Sequence, residues 1–198
     1  MVVEAGADAV GFIIDVSKSP RNLSMDEAKI LMKNVPIFVE TVAVTVPEDV
    51  NHLEKIDEEL NPDAIQIHVA SFLQRKIRER LPDARLIGAV QVKPDFTINT
   101  TIAVADAFDA ILLDSYVPDK YGGTGQVHDW ELSKRVGEAI RPKPLILAGG
   151  LRLENVKEAI MIAKPYAVDV SSGVESYPGI KDREKVLQFI KNAKETEV

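Results

Sequence analysis

The feature that most limits what this chain can fold into is an end-to-end alternation of short apolar, β-branched runs with amphipathic stretches. The runs are residues 9–14, 38–46, 64–68, 85–92, 110–114, 144–148 and 167–170. Most are continuously apolar rather than alternating apolar with polar, the pattern of parallel strands covered on both faces. Helical periodicities lie between them. Ser24-Met25-Asp26-Glu27 reads as a capping box, followed by Ala28, Leu31 and Val35 on one stripe. Pro47-Glu48-Asp49 opens the next helix, with Val50, Leu53, Ile56 and Leu60 inward. Leu73, Ile77 and Leu81 mark another, then Val156, Ile160 and Ala163, then Val186, Phe189 and Ile190; segments 97–108 and 129–140 complete the set.

Strict βα alternation leaves two main architectures. A doubly wound sheet usually stops at about six strands, and seven runs are present here. A (β/α)8 barrel takes eight units and at least about 200 residues. Residues 2–6 read as the tail of a helix entering the first visible run. The expected fold is therefore α/β: one domain over residues 1–198, a (β/α)8 TIM barrel lacking its first strand. An open seven-stranded sheet is the alternative.

Composition removes several function classes. With 45% hydrophobic residues the chain can fill one sizeable core. No apolar run approaches the roughly 20 residues that span a bilayer, and no basic-then-apolar leader opens the chain, so a cytoplasmic protein with no membrane partner is expected. Cysteine is absent, which excludes disulfides and thiolate metal sites. A net charge of −7 argues against nucleic acid as a partner, because phosphate neutralisation needs clustered Lys and Arg. The densest basic stretch, Arg75-Lys76-Ile77-Arg78-Glu79-Arg80, has helical spacing with an acid mixed in and reads as a solvated helix face.

In a βα barrel, functional groups stand at the C-terminal ends of strands and in the loops that follow. The last two runs end in Ala148-Gly149-Gly150-Leu151 and Val170-Ser171-Ser172-Gly173-Val174-Glu175. Glycines there let backbone N–H groups close on an anion, and the following helix N-termini add partial positive charge. Phosphate sites of this fold favour these two loops. The fifth run closes on Asp114, whose partial desolvation at the mouth would raise its pKa towards general-acid use; alone, it could equally bond loop amides. Tyr121-Gly122-Gly123-Thr124-Gly125 is glycine-rich enough to close over a ligand. Arg21 follows the first run, where a guanidinium can grip a carboxylate at two points or simply stay solvated. His68 ends the third run, as a ligand contact or a satisfied structural histidine. His52 and His128 stand at no metal-ligand spacing with it, and no metal site is expected.

The residues alone thus reach a sugar-phosphate barrel enzyme with one acid. Several blocks go further: Gly6-Ala7-Asp8-Ala9-Val10-Gly11-Phe12, Ser19-Pro20-Arg21, Ile65-Gln66-Ile67-His68, Leu112-Leu113-Asp114-Ser115, Gly122-Gly123-Thr124-Gly125 with Asp129-Trp130, Leu147-Ala148-Gly149-Gly150-Leu151 with Glu154-Asn155-Val156, and Val168-Asp169-Val170-Ser171-Ser172-Gly173-Val174-Glu175 with Pro178-Gly179 and Lys181-Asp182. Together, in this order, they resemble phosphoribosylanthranilate isomerase of tryptophan biosynthesis.

The resemblance implies an Amadori rearrangement of N-(5-phosphoribosyl)anthranilate, an aldose–ketose isomerisation without cofactor or metal, by a monomer or homodimer. It implies Asp114 as general acid, Arg21 on the anthranilate carboxylate, the Gly149-Gly150 and Ser172-Gly173 loops on the phosphate, and His68 and Gly123 among the substrate contacts. Three departures stand out. The family's general base is a cysteine in a Lys-Ile-Cys-Gly segment on the first strand, upstream of the Gly-Ala-Asp block, and this chain has none; as given, the chain is expected to be catalytically crippled, with translation starting about 20 residues earlier in the complete enzyme. Val69-Ala70-Ser71 stands where the family carries Gly and then an acid. Gly88 stands where a lysine is expected near the end of the next strand. Two other readings stay open: a bifunctional barrel isomerase that also takes the histidine-pathway aminoimidazole ribotide, and a non-catalytic ligand-binding remnant.

Overall fold

The computed structural model describes residues 1–68, 74–115 and 128–197. Seven parallel strands hydrogen-bond in chain order: β1 (Ala9–Ile13), β2 (Glu40–Thr45), β3 (Ala64–His68), β4 (Leu86–Val92), β5 (Ala110–Ser115), β6 (Leu145–Leu147) and β7 (Ala167–Val168). Neighbouring strands in sequence are neighbours in space throughout, as in a singly wound βα barrel wall; a doubly wound sheet would reverse its order part-way. Each strand occupies the place its apolar run predicts, most of them trimmed by one to three residues, with β3 unchanged and β5 one residue longer. The largest trim is at β2, where Phe38, expected inside the strand, takes a left-handed φ of 72° and is 95% exposed.

Seven helices follow the strands: α1 (Met25–Met32), α2 (Val50–Leu60), α3 (Gln74–Arg80), α4 (Ile98–Ala105), α5 (Trp130–Ala139), α6 (Val156–Ala163) and α7 (Arg183–Lys194). Their starts follow local chemistry. Ser24 and Glu27 form the expected capping box, and Asp49, Thr97, Asp129 and Asp182 each accept a backbone N–H of the first turn. On α1 the inward stripe is Ala28 and Met32, not Leu31, which stays 45% exposed. Residues 2–6 form a hydrogen-bonded turn, with Ala5 N–H donating to the Met1 carbonyl, rather than a helix tail of any length.

The main core lies between the sheet and α1–α5, on Ile65, Ile67, Ile111 and Leu113 of the strands with Leu53, Ile56, Ile77 and Val136 of the helices. A second cluster gathers Leu147, Leu151 and Val174 under α6 and α7. A small antiparallel hairpin, β8 (Glu175–Tyr177) and β9 (Ile180–Lys181), precedes α7. The alternation did not predict it, although Pro178-Gly179, with Gly179 at φ +85°, supplies its turn.

Among the described residues no pairing joins β1 to β7. The sheet nonetheless curls far enough to bring its margins together. Arg21, beyond β1, meets Glu175, beyond β7, and Asp8, just before β1, meets Lys194 of α7 at 2.8 Å. A single sheet whose first and last units touch is the wall of a barrel, open along one seam. No helix among the described residues is long and apolar enough to cross a membrane.

Candidate functional site

β5 is buried at every position and ends in Asp114 and Ser115 at the C-terminal margin of the sheet. Burial drives the Asp114 pKa from 3.8 up to about 7, with a further push from the nearby Asp169 carboxylate, while a hydrogen bond from Ser115 N–H pulls back weakly. Near neutrality, therefore, Asp114 can hold a proton and give it up, the condition for a general acid. Asp169, one residue past β7, is itself raised by desolvation among its protein neighbours, against the attraction of Lys181, although the residue is exposed at the open margin of the sheet. Two carboxylates in mutual repulsion cannot both ionise cheaply, so their neighbourhood keeps a proton in the site. Sequence reasoning passed over Asp169 although it stood in the Val168-Asp169-Val170 block; an acid just past a strand was the available signal.

The two glycine loops lie against each other. Gly149 and Gly150 both have positive φ, 84° and 67°. A Cβ on Gly149 would collide with Ser115 N, and one on Gly173 with the Leu151 carbonyl oxygen. Glycine is thus required at both positions by close approach, and at Gly149 also by its backbone conformation. Asn155 fixes the first loop, accepting from Arg152 N–H at 2.7 Å and donating to the Gly150 carbonyl at 3.1 Å. Neither Gly149 nor Gly150 donates its backbone N–H to another described residue. Ser172 and Gly173 form a short 3-10 turn ending on Val174. Adjacent glycine turns, the first with donors that no described residue takes, form a concave backbone surface suited to an anion such as phosphate.

Arg21 and Glu175 form a two-point ion pair, Nε to Oε1 at 2.7 Å and Nη2 to Oε2 at 2.6 Å. Lys181 Nζ donates to the same Oε1 at 3.0 Å and to the Ser171 carbonyl at 2.8 Å. Burial alone would raise Glu175, but the two cations outweigh it and hold the carboxyl below its ordinary range. His68 ends β3 as expected, and burial lowers its pKa to about 4, so it stands neutral at the mouth. Gly123 and the Val69-Ala70-Ser71 segment lie outside the described residues. Gly88 is corrected: it sits in the body of β4, not near its end, and a Cβ there would lie 2.7 Å from the Phe108 ring. It faces the helix layer, so no lysine at this position could reach the site.

His128 is a residue the sequence reading left without a task. Its Nδ1 is 2.9 Å from Ser115 Oγ and its Nε2 2.7 Å from Ser133 Oγ. Burial lowers its pKa to about 4, against Asp129. A neutral imidazole bridging two hydroxyls ties the end of β5, beside Asp114, to α5. Among the described residues no cluster of acids and histidines could hold a metal ion.

Residues 1–192 match the family model of N-(5'-phosphoribosyl)anthranilate isomerase. The isomerase of that name from Methanothrix thermoacetophila is 41% identical over 194 residues, 97% of this chain and 90% of the relative. The crystal structure of phosphoribosyl anthranilate isomerase from Thermotoga maritima superposes with a TM-score of 0.84 at 39% identity, over 98% of this chain and 91% of that one. A second phosphoribosyl anthranilate isomerase structure, in complex with reduced 1-(o-carboxyphenylamino)-1-deoxyribulose 5-phosphate, aligns at a TM-score of 0.80 and 37% identity, over 98% and 90% of the two chains.

Proposed function

This chain belongs to the N-(5'-phosphoribosyl)anthranilate isomerase family, and from that premise we propose that its site performs the Amadori rearrangement of N-(5'-phosphoribosyl)anthranilate in tryptophan biosynthesis with Asp114 as general acid. The observation that carries the assignment is the Asp114 pKa of about 7 at the buried end of β5. The proton on its carboxyl passes to the furanose ring oxygen. The C1–O bond breaks, the nitrogen lone pair forms the Schiff base, and loss of the C2 proton then gives the enolamine that ketonises. Arg21 holds the anthranilate carboxylate. The Gly149-Gly150 and Ser172-Gly173 turns hold the phosphate, and neutral His68 lines the mouth. Asp169 supports the acid by repelling its ionised form.

The step that the family gives to a first-strand cysteine has no thiolate in these 198 residues. The residues present supply the binding and acid roles; the base role falls to none of them. Substrate fluorescence, lost on isomerisation, tests this. The chain extended at its N-terminus with a Lys-Ile-Cys-Gly strand should consume substrate, and Asp114→Asn in that background should lower kcat by at least about a hundredfold. Full activity of Asp114→Asn would remove the acid assignment. Tight binding without turnover in the extended chain would leave a ligand-binding protein instead. The protein works as a monomer or homodimer; the Thermotoga maritima relative is dimeric, with monomers generated from it, and light scattering decides the state here.

A further inference from the structure

The ion pair between Arg21 and Glu175 spans the seam of the barrel, and its geometry is one-sided. A guanidinium has two edges that can each take a carboxylate, the Nε/Nη2 side and the Nη1/Nη2 end. Glu175 occupies the first with two short hydrogen bonds. Among the described residues no group takes Nη1. The Arg21 side chain is only 15% exposed and that of Glu175 4%, so the pair is fixed by its surroundings rather than waving in solvent.

Glu175 is in turn held from behind. Lys181 Nζ bonds its Oε1, and Lys185 Nζ bonds its backbone carbonyl at 2.8 Å. The turn of the β8–β9 hairpin stands beside the loop that carries Arg21, where a Cβ on Gly179 would lie 3.4 Å from the Pro20 carbonyl oxygen. Two cations, Arg21 and Lys181, share the Glu175 carboxylate beside the phosphate cradle that Ser172 and Gly173 begin, and Lys181 also attracts Asp169. A pair built only for stability would be closed on itself; buried ion pairs contribute little net stability in any case. This one keeps a fork edge for something else.

We propose that Glu175 is a positioning residue for substrate recognition: by gripping the Nε/Nη2 side of Arg21 it presents the Nη1/Nη2 end to the anthranilate carboxylate. The inference rests on the function proposed above and deepens it. Glu175 touches no reacting atom. It removes the rotamer freedom of Arg21, so the substrate need not order that side chain on binding.

Calorimetric titration of two ligands tests this without requiring turnover: reduced 1-(o-carboxyphenylamino)-1-deoxyribulose 5-phosphate, and its phenylamino counterpart lacking the carboxylate. The wild-type chain should bind the first at least about tenfold more tightly, as befits a charge-assisted two-point contact. Glu175→Gln should lose most of that preference while its affinity for the carboxylate-free ligand stays within about twofold. Glu175→Asp keeps the buried charge but draws the fork back by one methylene, so it protects the fold and should lose part of the preference. In an Arg21→Ala background, Glu175→Gln should have no further effect on the carboxylated ligand. Equal weakening of both ligands by the Glu175 variants would mean a merely structural pair and overturn the proposal, as would an unchanged preference. If the wild-type chain binds neither ligand, the isomerase assignment fails first, an outcome distinct from the other two.

Discussion

Replacing Asp114 by Asn should make the protein more stable, by an amount that depends on pH in a way the structure fixes. The folded chain raises the Asp114 pKa from 3.8 to about 7. At about 1.36 kcal/mol per pH unit, that displacement is worth about 4 kcal/mol against the folded state once the carboxyl is fully ionised. The sign follows from the direction. Between about pH 4 and 7 the native chain keeps a proton that the unfolded chain has released, so through this group stability is fully present at low pH and is lost as pH rises. The wild-type profile alone would hide the effect. His68 and His128 are both lowered from 6.5 to about 4, so the unfolded chain binds the extra protons there and stability rises with pH across nearly the same window. Subtracting two profiles removes the histidines. Urea unfolding of wild type and Asp114→Asn at intervals from pH 4 to 8 should give a stability difference that grows by about 4 kcal/mol in favour of the variant. A difference that stays flat across this range would show that Asp114 titrates as an ordinary carboxylate, and the general-acid assignment would go with it.

Three further substitutions probe the supporting structure. Gly149→Ala places a methyl group against Ser115 at a left-handed φ and should cost about 1–3 kcal/mol in urea unfolding, while weakening inorganic phosphate binding in titration. His128→Ala leaves the Ser115 and Ser133 hydroxyls unsatisfied; the expected loss is about 1–3 kcal/mol, read as a lower Tm, with the Asp114→Asn stability profile retained in shape. Gly88→Val would push a side chain into the Phe108 ring and should destabilise by about 1–3 kcal/mol without changing affinity for the reduced product analogue, because the position faces away from the mouth.

What could be read in the sequence was whatever repeats locally. Strands buried on both faces announce themselves as apolar runs, and Ser24, Asp49 and Asp129 mark helix starts because caps are chemistry between near neighbours. Asp114 and the glycine turns were legible because the barrel fixes where strand ends must stand. Local reading failed where a choice depended on the third dimension. Leu31 and Met32 are equally apolar, and only the angle at which α1 meets the sheet selects Met32. His128 looked idle until folding set it between a strand-end serine and a helix serine. Asp169 gained meaning only beside Asp114, and Glu175 only from an arginine 154 residues away.

That separation has a consequence for how the protein comes to exist. Arg21 and Asp8 are made early in synthesis, while Glu175 and Lys194 emerge near its end. Most strand pairs can zip together as they leave the ribosome, each with its predecessor, but the carboxylate grip on the arginine must wait for Glu175, and the clasp at the other end of the seam for the final helix. Such long-range closures are slow. A chain cut short by its last helical segment would keep much of its secondary structure, and Lys181 with it, but would lack both Lys185, which holds the Glu175 backbone, and the Lys194 clasp on Asp8, so the seam is finished only after nearly every residue has been added.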